Sequence, residues 1–200
     1  MPTTETMSQP RMQAVVRSDS LQRLLALGAL VLLIVFFSVI SEPFRTTENF
    51  TSILVATAVN GVLAMGVTFV IITGGIDLSV GTTMTFCTVV LGLAVTKAGL
   101  PLWVGIPAAL GAGALVGMLN GVLIAKAKLP PFIATLGMLN VARGLAQILS
   151  EVRPIYFEGN PEFYDSFMGK AVFGVPNVVF IMFGAAIVAH LVLTKTVLGR

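Results

Sequence analysis

The sequence predicts an all-α polytopic membrane protein, with about six transmembrane helices and a possible broken helix at Gly74-Gly75. Composition is the first observation behind this. Of 200 residues, 56% are hydrophobic and only 10% are charged, with a mean hydropathy of +0.96. A soluble domain carries about 25% charged residues. The second observation is that the apolar residues are gathered into runs close to the length that crosses a bilayer. At a rise of about 1.5 Å per residue, roughly 20 residues span a hydrocarbon core of about 30 Å. The third is that these runs are apolar on every side, whereas a membrane barrel needs short segments of alternating polarity.

Taken in order, residues 1–23 are polar, carry Arg11, Arg17 and Arg23, and read as a cytoplasmic tail. Residues 24–200 read as the transmembrane domain. Its first run is Leu24 to Ile40. Arginines precede it, as in a signal peptide, but it exceeds the usual signal core and is followed by Ser41-Glu42-Pro43 rather than a small-x-small cleavage site. The further runs are Thr51 to Thr73, Leu78 to Thr96, Leu102 to Ala125, Phe132 to Ser150 and Val175 to Thr194. Helix breakers separate them: Pro43, Gly74-Gly75, Gly99 with Pro101, Pro130-Pro131, and the stretch from Glu151 to Gly174.

Basic residues set the orientation. With the N-terminus inside, Arg11, Arg17, Arg23, Lys126, Lys128, Lys195 and Arg200 face the cytoplasm, against the smaller set Arg45, Lys97, Arg153 and Lys170 outside. Both ends of the chain are therefore expected inside. The net charge of +3 is spread over helix ends, so it carries topology rather than nucleic-acid binding. The single cysteine, Cys87, cannot form an internal disulfide and reads as a small buried residue.

The most informative stretch is Thr73-Gly74-Gly75-Ile76-Asp77-Leu78-Ser79-Val80-Gly81, between two apolar runs. Adjacent glycines end a helix and permit backbone angles other residues avoid. Asp77 and Ser79 then stand where side-chain oxygens cap the next helix by accepting its free N–H groups. One reading is a short cytoplasmic turn with a good cap. The other is a broken helix at membrane depth, where irregular backbone is tolerated only inside protein or along a watery path. On the second reading Thr73, Gly74, Gly75, Asp77, Ser79 and Gly81 border a polar path. Asn60 shares a helix with the break and joins that set. So does Arg143, since an arginine within a span costs about 2.5–3.5 kcal/mol unless it faces protein, a cavity or the interface.

Other polar residues within the runs, Asn120, Asn140 and Gln147, read as interhelical hydrogen bonders. Gly113, Gly117 and Gly121 form a small-residue ridge for close helix packing, within the subunit or between subunits. The Glu151–Gly174 stretch interleaves charges with Tyr156, Phe157, Phe163, Tyr164 and Phe167, which suits a membrane interface or an outer gate. No metal-ligand cluster and no nucleophile–base set stands out. There is no Gly-x-x-x-x-Gly-Lys-Ser/Thr phosphate loop, so the chain is not itself expected to hydrolyse ATP.

The motifs together carry a resemblance. Gly-Gly-Ile-Asp-Leu-Ser-Val-Gly at 74–81, the stretch from Gly117 through Leu139 containing Leu-Pro-Pro-Phe-Ile-Ala-Thr-Leu-Gly, and Ala-Arg-Gly-Leu-Ala at 142–146 resemble the permease subunits of bacterial ABC importers for monosaccharides. These are the ribose-, xylose- and galactose-type systems, which include members for autoinducer-2. The resemblance implies a multi-pass protein of the bacterial inner membrane that works with a second permease subunit, a cytoplasmic ATP-binding subunit and a periplasmic sugar-binding protein. It binds no cofactor itself, and ATP is used by the partner. In such proteins the segment that docks on the ATPase follows a Thr-x-x-Gly-Arg stretch. Thr196 to Arg200 matches that stretch, so the expectation is a leading part of a longer permease. The alternatives are a self-sufficient secondary transporter or channel, for which Asp77 with Arg143 is the only intramembrane charge pair, and a truncated permease without function.

Overall fold

The computed structural model describes residues 19–157, 161–172 and 174–196. The tail residues 1–18, with Arg11 and Arg17, lie outside the described residues. So do residues 158–160 and 173 of the Glu151–Gly174 stretch and residues 197–200 of the Thr-x-x-Gly-Arg match.

The chain divides into two compact units, residues 1–52 and residues 53–200. In the first, helix α1 (Asp19–Ile40) leads to a 3-10 turn at Pro43–Arg45. α1 begins before Leu24 because Leu21, Gln22 and Arg23 are themselves good helix formers. Phe37 packs on Phe44 with ring centroids 5.8 Å apart. Helix α2 (Thr47–Ile72) starts here, with the Asn49 N–H donating to Thr46 Oγ1 at 3.2 Å, an N-cap that satisfies one orphan donor.

The second unit holds the rest of α2, then α3 (Val80–Gly92) continued by a π-helical turn at Leu93–Lys97, α4 (Leu102–Ala125), α5 (Pro131–Leu149), the short α6 (Pro161–Phe167) and α7 (Asn177–Lys195). A two-stranded antiparallel pair, β1 (Lys170–Val172) and β2 (Val175–Pro176), precedes α7. Six helical stretches among the described residues are long and apolar enough to cross a membrane, matching the six apolar runs.

The packed centre is the trio α3, α4 and α5. Its buried apolar side chains are mostly small, Val95, Val116, Ala134, Ala142 and Ala146, with Leu102 and Met138 the larger ones. Larger apolar side chains such as Phe36, Trp103, Leu110 and Ile148 point outward, as expected where the surrounding solvent is lipid and helix association rests on close packing. Pro131 opens α5 at its first turn, where a missing N–H costs nothing.

The helices meet at glycines, though not along the whole expected ridge. A Cβ on Gly113 would lie 3.1 Å from Cys87 Sγ, so α3 and α4 touch there. Gly117 and Gly121 have no atoms within 4 Å of a built Cβ. The packed face of α4 runs instead through Leu102, Gly105, Val116 and Asn120, because packing follows the buried face of the helix and the four-residue glycine spacing drifts off it. A Cβ on Gly105 would stand 2.8 Å from Val95 Cγ2 and 3.0 Å from Leu91 Cδ1. Gly105→Ala is therefore expected to destabilise the protein by about 1–2 kcal/mol through overpacking. Gly111→Ala, in open space on the same helix, should be neutral or stabilising by up to about 1 kcal/mol. Unfolding titrations in SDS-bicelle mixtures check the contrast; equal effects would show that the α3–α4 contact is absent.

Candidate functional site

The break between α2 and α3 is built by its glycines. Gly74 adopts φ +73°, and the N–H groups of Gly74 and Gly75 donate to Ile71 O at 2.9 Å and Val70 O at 3.0 Å. This is the Schellman arrangement, which closes off the last free carbonyls of α2. Thr73 Oγ1 donates to Val70 O at 2.8 Å, so Thr73 completes the helix end.

Residues 76–79 then cross to α5 and α4. The Leu78 N–H donates to Thr135 Oγ1 at 3.2 Å. Thr135 Oγ1, with one proton to donate, lies 2.8 Å from Pro131 O and 3.3 Å from Ile76 O. Asp77 Oδ1 accepts both the Ser79 N–H at 2.7 Å and the Ser79 hydroxyl at 2.6 Å. Ser79 Oγ in turn accepts from Asn120 Nδ2 at 3.1 Å. The order is a polarised chain, from amide to hydroxyl to carboxylate. Ser79, Asn120 and Thr135 are only 1%, 5% and 2% exposed, while Asn120 Oδ1 is buried without a partner.

The expected cap is thus corrected. Ser79 stands at the start of α3, but its backbone is already helical (φ −85°, ψ −9°) and its side chain makes no cap bond. Its hydroxyl is drawn to the stronger charged acceptor, Asp77. Asp77 holds the N–H of Ser79, just ahead of the helix, as an Asx turn.

The break is recessed. Asn120 lies five residues before the end of α4 at Ala125, about 7–8 Å by helical rise. The span over Val80–Lys97 has 18 residues against 24 for α4, so it is shorter by roughly 9 Å. Of the polar groups on this irregular backbone, the Leu78 N–H and Ile76 O meet Thr135 of α5, and the Ser79 N–H meets Asp77.

From this break a groove of about 890 Å³ runs between α3 and α5 to the segment after α5. The two helices run parallel: Leu78 meets Thr135 at one end, and Lys97 Nζ meets Glu151 Oε1 at 3.0 Å at the other. That ion pair is more than half exposed on both sides and is worth under about 1 kcal/mol. The α3 wall carries Gly81, Thr82, Thr85 and Thr88; the α5 wall carries Arg143, Gln147 and Ser150. The threonine hydroxyls donate back to their own helix, Thr82 to Ser79 O, Thr85 to Gly81 O and Thr88 to Met84 O. Their oxygens therefore remain as acceptors.

The end beyond α5 is closed by Arg153, Pro154, Ile155 and Phe157. The chain turns there through Glu151 and Val152, both at positive φ, with the Val152 N–H on Gln147 O at 2.9 Å. Ile155 then packs onto Gly92, where a Cβ would come within 2.7 Å of it. Phe157 stacks on Phe163 at 4.1 Å.

Of the residues singled out from sequence, the structure brings Gly74, Gly75, Asp77 and Ser79 into the break, and Gly81 and Arg143 into the groove wall. Asn60 is exposed on α2 and is not among the groove residues; Thr73 is exposed at the end of α2. Asp77 and Arg143 do not pair: the ion pair found among the described residues is Lys97–Glu151. Thr135 and the threonines of α3 were missed. The spacing of Thr82, Thr85 and Thr88 on one helix face was the available signal. Among the described residues no group of His, Cys, Asp and Glu can hold a metal ion.

Comparison with known proteins places the chain. The family model described as "Branched-chain amino acid transport system / permease component" matches residues 49–200. The ribose import permease protein of Haemophilus influenzae is 37% identical over 174 residues, covering 86% of this chain and 54% of that protein. The autoinducer 2 import system permease protein of Salmonella typhi is 32% identical over 175 residues, 88% of this chain and 50% of that protein. The fructose import permease protein of Rhizobium meliloti is 41% identical over 109 residues, 54% of this chain and 30% of that protein. The chain spans about half the length of the ribose permeases it matches. No solved structure matches it.

Proposed function

The chain belongs to the family of branched-chain amino acid transport system / permease component proteins, and on that premise we propose that it is a transmembrane permease subunit of an ABC importer for a monosaccharide or related polar solute. The observation that carries the reading is the groove along α3 and α5, which gathers Thr82, Thr85, Thr88, Arg143 and Gln147 among apolar neighbours, on helices that otherwise expose many large apolar side chains. The groove is the solute path, and the Gly74–Ser79 break closes its inner end. The similarity to ribose, fructose and autoinducer 2 import permeases supports the solute class.

In this reading the protein lies in the bacterial inner membrane with its N-terminus in the cytoplasm, so that Lys126, Lys128 and Lys195 mark the inner face. It works with a second permease subunit, a cytoplasmic ATP-binding subunit and a periplasmic sugar-binding protein. It performs no bond chemistry. ATP binding and hydrolysis on the partner shift the balance between conformations open to either side.

Uptake of labelled ribose, fructose and galactose into membrane vesicles from cells with and without the chain tests this. The chain-dependent component is expected to require ATP and to survive a protonophore. Uptake that ignores ATP and collapses with the ion gradient would establish the secondary transporter instead.

A further inference from the structure

We propose that the groove is electropositive and selects by charge: Arg143 sets this, and the solutes it admits are oxygen-rich and carry no positive charge. The inference rests on the groove being the solute path. Among the described residues its wall holds two guanidinium groups, of Arg143 and Arg153, and no carboxylate. Two described acids flank it. Asp77, beside Leu78 at the break, carries a negative charge but directs Oδ1 to the Ser79 N–H and hydroxyl, eight residues of α5 away from Arg143 by the Thr135 tie, and Glu151 at the other end is neutralised by Lys97.

Arg143 sits on α5 about midway between the two tie points, Thr135 and Glu151. It has no ion pair among the described residues. A guanidinium within a span is costly unless it meets water or an acceptor, and it offers five donors in a planar fork that fits vicinal or carboxylate oxygens. Opposite it, the α3 threonines present acceptor oxygens, because their protons are spent on their own helix. A solute that bears hydroxyls finds donors on one wall and acceptors on the other. A sugar acid gains further from the guanidinium. An amino sugar meets like charge at the midpoint of the path, where low dielectric strengthens repulsion.

The test reads the charge of the groove directly. In the full chain with Cys87→Ser, Thr85→Cys places a thiol on the groove wall. Its modification by anionic sulfonatoethyl and cationic trimethylammonium-ethyl methanethiosulfonates is timed in membranes, each rate divided by that for a free thiol in solution. The anionic reagent is expected to be favoured by about tenfold, the effect of one charge at close range in a partly screened site. Arg143→Gln should remove the preference, and Arg143→Lys, which keeps the charge, should retain it. D-gluconate and D-glucose should slow the modification more than D-glucosamine does.

A thiol that reacts without charge preference, or with a preference unchanged by Arg143→Gln, overturns the inference while leaving an aqueous path. Equal rates with all three hexose derivatives also overturn it. A thiol inert to both reagents removes the path itself, and the inference with it.

Discussion

Thr135→Val is expected to destabilise the protein by about 1 kcal/mol and to free the Leu78 amide for hydrogen exchange. Valine matches threonine in shape, so the cavity term is nearly nil and the change isolates the hydroxyl. That hydroxyl accepts the Leu78 N–H at 3.2 Å, and its own proton is shared between α5 and Ile76 O. Thr135 is 2% exposed, so water does not replace it. Leu78 is 37% exposed and its bond is part-buried, so losing the acceptor costs toward the lower end of the roughly 1–3 kcal/mol of a fully buried orphan. The Pro131 carbonyl loses only a side-chain donor. Thr135→Ser keeps the oxygen and should cost less than half as much. SDS-driven unfolding and amide exchange at Leu78 measure the two parts separately. If Thr135→Val unfolds as wild type and Leu78 stays protected, the break is held by its glycine turn alone, and the tie to α5 is incidental. With the tie lost, the inner end of the groove should loosen before the rest of the trio, because the Schellman turn belongs to α2 and remains.

These contacts mark the boundary of what the sequence could disclose. The six runs were legible because a bilayer demands length and apolarity, and both are local properties. The break was legible for a similar reason: Gly74 is a glycine because φ +73° is required there. Pairing was not legible. Lipid and helix neighbours are equally apolar, so the runs carry no stripe that distinguishes an inward face. The glycines of α4 looked alike in sequence, yet Gly113 meets Cys87 while Gly117 and Gly121 meet nothing within 4 Å. Thr135 could be recognised only by its partner 57 residues earlier. Arg143 was flagged by its cost in a membrane, and that argument led to the groove without naming its opposite wall. The expected cap at Ser79 failed because a nearby carboxylate competes for the same hydroxyl, a contest that residue preference alone does not decide.

Asp77→Ala should have the largest effect of any single change at the break, about 3 kcal/mol. It removes the acceptor of two donors at once, the Ser79 N–H and hydroxyl at 2.7 and 2.6 Å, on a residue only 1% exposed. Bonds to a carboxylate are roughly twice as strong as neutral ones, so Asp77→Asn, which keeps one oxygen in place, should cost about 1 kcal/mol. The freed Ser79 hydroxyl has one other direction to turn, toward the Asn120 amide. That gives little relief. Accepting the proton requires the amide to rotate, which carries Nδ2 into the position where Oδ1 now lies buried without a partner; one orphan replaces another. The same bookkeeping predicts an inversion. Asn120 is more buried than Asp77, yet Asn120→Leu should be the milder change, at about 1 kcal/mol or less, because it deletes the orphaned oxygen together with the donor to Ser79. The double variant should depart from additivity by more than about 0.5 kcal/mol, as expected for members of one hydrogen-bonded chain. A double-mutant cycle by SDS-bicelle unfolding decides the point. Strict additivity, or an Asn120→Leu cost above that of Asp77→Ala, would mean that the carboxylate, hydroxyl and amide do not act as a unit, and that burial alone governs stability at this end of the groove.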